Sequence, residues 1–184
     1  RPARSDLVWS LSLPLPCLSC VKSAADGTKT KVVASLRCKQ RFVIDAWTVA
    51  LLASTALHAG FQLTVRVVYA ALAGVRPDAW VATHGRHSRR ITPLVALVYG
   101  AALVCCIGVL INSGGNSTTQ LAGMVIAIAG TLAAIAVTAF CAGPTHRRLD
   151  SGLDPVLMRR LISYDRWRTV AALLALGGAV LLAT

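Results

Sequence analysis

This sequence predicts an all-α fold: a polytopic membrane four-helix bundle with short interfacial helices in loops one and three. Three observations predict it. Of 184 residues, 55% are hydrophobic and 14% charged, with a mean hydropathy of +0.64, whereas soluble domains carry about a quarter charged residues. Four apolar runs, near residues 46–73, 93–111, 121–142 and 167–184, reach the roughly 17–25 residues that cross a bilayer. The runs are continuous rather than alternating, which selects helices over a barrel.

The distribution of charge sets the topology. A formal net charge of +12 would suit nucleic acid, but the basic residues hug the ends of the apolar runs, as they do when they orient helices in a membrane. Eight of the 19 Lys and Arg lie in residues 1–42, one is Arg66, four lie between Arg76 and Arg90, and six between Arg147 and Arg168. The loop "NSGGNSTTQ" carries none. Loops one and three are therefore expected to be cytoplasmic, in a protein of the bacterial plasma membrane. The lipid bilayer is the first partner, and nucleic acid is excluded.

That orientation leaves the basic residues of the N-terminal tail on the outer side. Two readings remove the conflict. Residues 1–26 could be a signal peptide with a basic start, an apolar middle and a Ser23-x-Ala25 cleavage site. Alternatively, residues 1–42 are a basic tail, disordered or not native, ahead of a four-helix domain that starts near Val43. The second reading is preferred, because two prolines interrupt the apolar middle of the first. The fourth run is the shortest and stops at the chain end, which leaves the completeness of the C-terminus open.

Within the first span, "LHAGFQLTVRVVYAAL" carries His58, Gln62, Arg66 and Tyr69. At about 100° per residue these four lie within roughly 80° of one another. Burying an ionisable group at the bilayer centre costs at least about 2.5 kcal/mol, so the stripe is expected to face the bundle interior or a wet cavity. Arg66 has an alternative in snorkelling to lipid phosphate. His58 lies mid-span and cannot snorkel, so it is either a site residue or a histidine bonded between helices.

Loop one can form an interfacial helix with Pro77 in its first turn. Trp80, His84, His87 and Ile91 share one face of it, and Arg86, Arg89 and Arg90 lie away from that face, towards phosphate or water. His84 and His87 form H-x-x-H, but two ligands make a weak metal site and the chain contains no Glu. His146 would be a third ligand if loops one and three met. No metal and no cofactor is expected. "GPTHRRLDSGLDP" is expected to break helix three, and Asp154-Pro155 reads as the cap and first turn of a helix running into the fourth span. Gly123, Gly130, Gly177 and Gly178 permit close helix contact. Cys17 and Cys20 form a C-x-x-C without a second pair, while Cys105, Cys106 and Cys141 pack as small apolar groups. Asp165, beside Arg166 and near Arg168, suits an interfacial salt bridge better than acid catalysis.

Two stretches, "W-x3-H-x2-HSRRIT" over residues 80–92 and "P-x-HRRL…DRWRTV" over residues 144–170, resemble the anthrone-oxygenase-like family of small four-helix membrane proteins. The resemblance runs from about residue 43 to the end and rests on loop motifs. It implies a four-helix membrane fold. Fungal relatives oxidise an anthrone carbon with molecular oxygen, without metal or flavin. Carried over, the resemblance implies a pocket holding His58, Gln62, His84, His87 and His146, in which a base takes the ring-methylene proton and the carbanion meets oxygen. Such a base must titrate near neutrality.

Two function classes follow. One is a cofactor-independent, oxygenase-like enzyme acting on a small hydrophobic or aromatic substrate, with His58, His84 and His87 as catalytic candidates and Gln62, Arg66, Tyr69 and His146 as substrate-binding ones. The other is a non-enzymatic membrane protein: a binder of a small molecule or lipid, or a helper subunit of a membrane complex. Homo-oligomers and membrane partners fit either class.

Overall fold

The computed structural model describes residues 28–114 and 116–184, with side chains from Ala46 onward. The chain divides into Arg1–Gln40 and Arg41–Thr184, and the bundle belongs to the second unit. Its helices are α1 (Thr28–Ala73), α2 (Pro77–Ile111), α3 (Thr118–Val137), α4 (Gly143–Leu149) and α5 (Pro155–Ala183), with a π-helical turn, Thr138–Ala142, joining α3 to α4. Four stretches are long and apolar enough to span a bilayer: Ala46–Ala73, Pro77–Ile111, Thr118–Leu149 and Pro155–Ala183. Large apolar side chains such as Val67, Leu97, Val125 and Leu174 lie exposed on them. That surface suits lipid rather than water, and the protein is a small integral membrane protein.

The expected tail ends inside a helix. α1 begins at Thr28, so residue 42 is not a helix boundary; the signal-peptide reading and the start of the tail fall on residues 1–27, outside the described residues.

Two expected breaks are absent, for local reasons. The interfacial helix of loop one and the second span form one helix through Pro93, where the Thr92 hydroxyl donates to the Ser88 carbonyl at 2.7 Å. Loop one shrinks to residues 74–76. Gly143-Pro144 likewise does not end helix three. The Gly143 N–H bonds the Thr138 carbonyl in a π register, and Pro144, which has no N–H to give, then sits in the first turn of α4, where none is needed. Loop three does not contain a separate interfacial helix either: α4 continues the third span and α5 begins the fourth.

Other signals act as expected. Asp154 caps α5, its Oδ1 accepting from the N–H groups of Val156 (2.7 Å) and Leu157 (3.2 Å), with Pro155 at the first position. Ser117 and Gln120 form a reciprocal capping box at the start of α3, so two of its free N–H groups are satisfied.

Consecutive spans run antiparallel. Side-chain contacts pair His58 with Tyr99 between α1 and α2, Cys106 with Thr131 between α2 and α3, and Tyr69 with Arg168 between α1 and α5. The closest seam is α3 against α5. A Cβ at Gly123 would stand 2.6 Å from the Leu182 nitrogen, and one at Gly130 2.6 Å from the Ala171 carbonyl oxygen. One at Gly178 would collide with the Ala127 backbone, while Gly177 faces open space. Glycine here lets backbone meet backbone, which raises dispersion contact where apolar burial gives no net drive.

The interior sorts into three groups along the axis. Leu51, Cys106, Val109, Met124, Ala127, Ala179 and Leu182 fill the end near loop two. Tyr99, Ala134 and Ala171 lie between. Val65, Tyr69, Leu72, Trp80, Leu149, Met158 and Leu161 fill the basic end, near loops one and three.

Candidate functional site

The basic end holds a chain of polar side chains from four elements. α2 supplies Trp80 and His84 from one face, the i, i+4 pair of the sequence. Trp80 is fully buried, its indole N–H donating to the Leu149 carbonyl at 2.8 Å, which ties α2 to the end of α4. The Trp80 ring stacks on His84 with centroids 5.0 Å apart, and His84 stacks on His146 of α4 at 5.2 Å. His84 Nε2 lies 3.0 Å from His146 Nδ1, and His146 Nε2 lies 2.7 Å from the Tyr69 hydroxyl of α1. Arg168 of α5 reaches the same hydroxyl with Nη2 at 3.4 Å. It also forms a 2.6 Å ion pair with Asp165 in which both side chains are buried.

The ends of this chain fix its direction. A guanidinium can only donate and a carboxylate can only accept. The Tyr69 hydroxyl therefore accepts from Arg168 and donates to His146 Nε2. His146 Nδ1–H donates to His84 Nε2, and the proton of His84 sits on Nδ1. That nitrogen stands 3.2 Å from Asp150 Oδ1, near enough for electrostatic pairing but not aligned as a hydrogen bond. Asp150 is 58% exposed, so the chain leads from a buried arginine to the protein surface. Protons can move along it by successive transfer between ring nitrogens.

A second chain descends mid-bundle. Gln62 Nε2 lies 3.2 Å from His58 Nε2 and donates to the Tyr99 hydroxyl at 2.6 Å. Tyr99 lies 2.8 Å from Thr138 Oγ1, which donates to the Ala134 carbonyl. His58 also meets the Tyr99 ring edge-on, centroids 4.7 Å apart. His58 and Gln62 are both fully buried, yet His58 Nδ1 and Gln62 Oε1 have no partner.

Both chains end on one cavity of about 380 Å³, lined among others by Phe61, Val65, Ile91, Val95 and Ala142 on its apolar side, and by Tyr69, Thr138, His146 and Arg168 on its polar side. That volume lies in the range of small-molecule sites, about 300–1,000 Å³. Thr138 reaches the wall from the π turn, a common location for such turns.

Of the residues expected from sequence, Tyr69 and His146 line the cavity. His84 sits one ring behind His146. His87 is half-buried, its ring 6.3 Å from that of His146, and its Nε2 lacks a partner. His58 and Gln62 are not on the wall; they connect to it through Tyr99 and Thr138. Arg66 is exposed and takes no part. Locally the buried positions are Gln62, Val65, Tyr69 and Leu72, and Arg66 projects about 40° beyond the edge of their arc, where its charge avoids burial.

Tyr99, Thr138 and Arg168 were missed as site residues. Tyr99 carried the same signal as His58, a polar group inside an apolar run. Arg168, at the start of the fourth run, paired at i, i+3 with Asp165, was assigned to the interface, whereas the helix carries both inward. Among the described residues, no group of three or more His, Cys, Asp or Glu side chains converges as a metal-ion site. No protein-family model, curated protein or solved structure matches this chain.

Proposed function

We propose that this integral membrane protein binds a small, mostly apolar molecule in the cavity at its basic end and exchanges a proton with it. One observation carries this reading: the side chains of Tyr69 and His146 stand on the wall of an otherwise apolar cavity and continue through His84 to the exposed Asp150. A ligand held against Phe61, Val65, Ile91 and Val95 would have its polar end against that edge. A proton leaving it passes to Tyr69 as the tyrosine proton moves to His146, and onward to His84. The oxygenase-like chemistry implied by the sequence resemblance would begin with such a proton abstraction from an activated carbon. The charge asymmetry of the loops supports a cytoplasmic placement of this end.

The second reading, a non-enzymatic binder, is favoured by a specific feature. Both ring nitrogens of His146 are already engaged by the protein, so no histidine stands free as a base on the wall. Mass spectrometry of protein purified from native membranes separates the readings. A molecule recovered bound and unchanged after incubation in air supports a binder, and its conversion supports an enzyme. Val95→Trp, which fills the cavity from its apolar side, should abolish recovery of the molecule. Undiminished recovery would refute the cavity as the site.

A further inference from the structure

Arg168 is the buried cation of the bundle, 4% exposed, and it lines the cavity. Among the described residues its hydrogen bonds, to Asp165 and Tyr69, use Nη2. Its Nε–H is buried and without a partner. A guanidinium offers five N–H donors in a planar fork, shaped to hold two oxygens or one oxygen bidentately. An unmade hydrogen bond from a charged, buried donor is costly, and that cost is removed when an acceptor arrives. Beside it, Ser88 also lines the cavity with an unpartnered hydroxyl.

The remaining walls decide what kind of acceptor fits. They are apolar on the α1 and α2 side, so a permanently charged molecule would lose its hydration on entry with little return. A weak acid can enter neutral and ionise in place. From this we infer that the cavity selects weakly acidic, mostly apolar molecules and holds them as the oxyanion on the Arg168 guanidinium. This rests on reading the cavity as a ligand site and adds the ligand class. The step is a proton transfer only: the acid O–H bond breaks, its electron pair stays on the ligand oxygen beside Arg168, and the proton leaves through Tyr69 and His146. The other ionisable or charged groups facing that oxygen are Tyr69 from α1, His146 and Arg147 from α4, Asp150 beyond it and Asp165 from α5; α2 contributes only the neutral Ser88 and Thr92 to the polar lining.

para-Nitrophenol tests this directly, because its anion absorbs visible light and its neutral form does not. With purified protein in excess, the bound probe should ionise at a pH lower than the free probe by about one unit or more, as expected beside a buried opposite charge. Removing the ion pair as a unit, Asp165→Asn with Arg168→Gln, avoids leaving one charge stranded and should return the midpoint to that of free probe. Arg168→Lys keeps the charge and should retain part of the shift. A bound probe that ionises no more readily than free probe, or a shift that survives the double variant, overturns the inference. Binding of the uncharged isostere para-nitrotoluene then tells the two readings apart. If it binds while the phenol shows no shift, the cavity is a ligand site without oxyanion selection; if neither binds, the cavity reading falls with it. para-Nitrobenzoate, ionised throughout, should bind at least tenfold more weakly than the phenol, and equal binding overturns entry as the neutral acid.

Discussion

Arg168 and Asp165 form a 2.6 Å ion pair one helical turn apart, at 4% and 2% exposure, inside the end of a membrane bundle. Breaking such a pair from one side leaves an uncompensated buried charge, which costs about 3–5 kcal/mol. Asp165→Ala should therefore lower the thermal stability of the purified protein severely. The double change with Arg168→Gln should recover most of the loss. Equal stability of the single and double variants would mean that water already reaches the guanidinium.

The α3–α5 seam makes a sharper prediction. Gly130→Ala places a methyl 2.6 Å from the Ala171 carbonyl oxygen and 2.7 Å from the Ala175 nitrogen, and backbone cannot move aside as a side chain can. The helices must separate, at a cost of about 1–3 kcal/mol. Gly177→Ala, one residue from the equally crowded Gly178, meets nothing within 4 Å and should be neutral or stabilising by up to about 1 kcal/mol. Thermal unfolding of the two variants side by side checks the contrast.

His58→Leu should leave stability within about 1 kcal/mol of the parent. Leucine fills similar space, and the replaced ring keeps one nitrogen unpartnered already, so little net hydrogen-bond energy is lost. Since His58 is not on the cavity wall, ligand affinity should fall less than tenfold. Ala56→Leu, on the exposed face of the same helix, should change neither. A large loss of stability in His58→Leu would make the histidine a structural tie between α1 and α2.

Orientation can be read by cysteine labelling with a membrane-impermeant thiol reagent. Gly114, exposed in loop two, is preferable to Ser117 because Ser117 caps α3. Gly114→Cys should label from outside intact cells and Gly152→Cys only after permeabilisation, since the positive charge flanks loops one and three. The reverse pattern would place the histidine end outside.

The four spans and the inward stripe of His58, Gln62 and Tyr69 were legible because both depend on local quantities, hydropathy and helical phase. The face shared by Trp80, His84 and His87 was legible for the same reason. What sequence could not supply was the meeting of distant segments. That His146 lies between His84 and Tyr69 depends on 62 and 77 residues of intervening chain. The failed breaks at Pro93 and Gly143-Pro144 have another cause. A lone proline ends a helix in water, but in a membrane an opened backbone has no solvent to bond, and the chain keeps its helix by adjusting the neighbouring turn. Arg66 shows the opposite limit: phase alone put it in the stripe, and only the width of the interface excludes it.

The π turn at Thr138–Ala142 amounts to one residue inserted in an otherwise regular helix. Its phase therefore separates the residues before it, which face α5 through Gly130 and Ala134, from those after it, among them His146. Excising one residue there, such as Phe140, whose side chain is 80% exposed, would restore α-helical register and turn α4 by about 100° against α3. The glycine seam would survive, while His146 would swing off Tyr69 and His84. A single-codon deletion at a lipid-facing position would thus dismantle the polar chain without touching any of its members, and the same turn is where a lineage could switch this cavity on or off in one step.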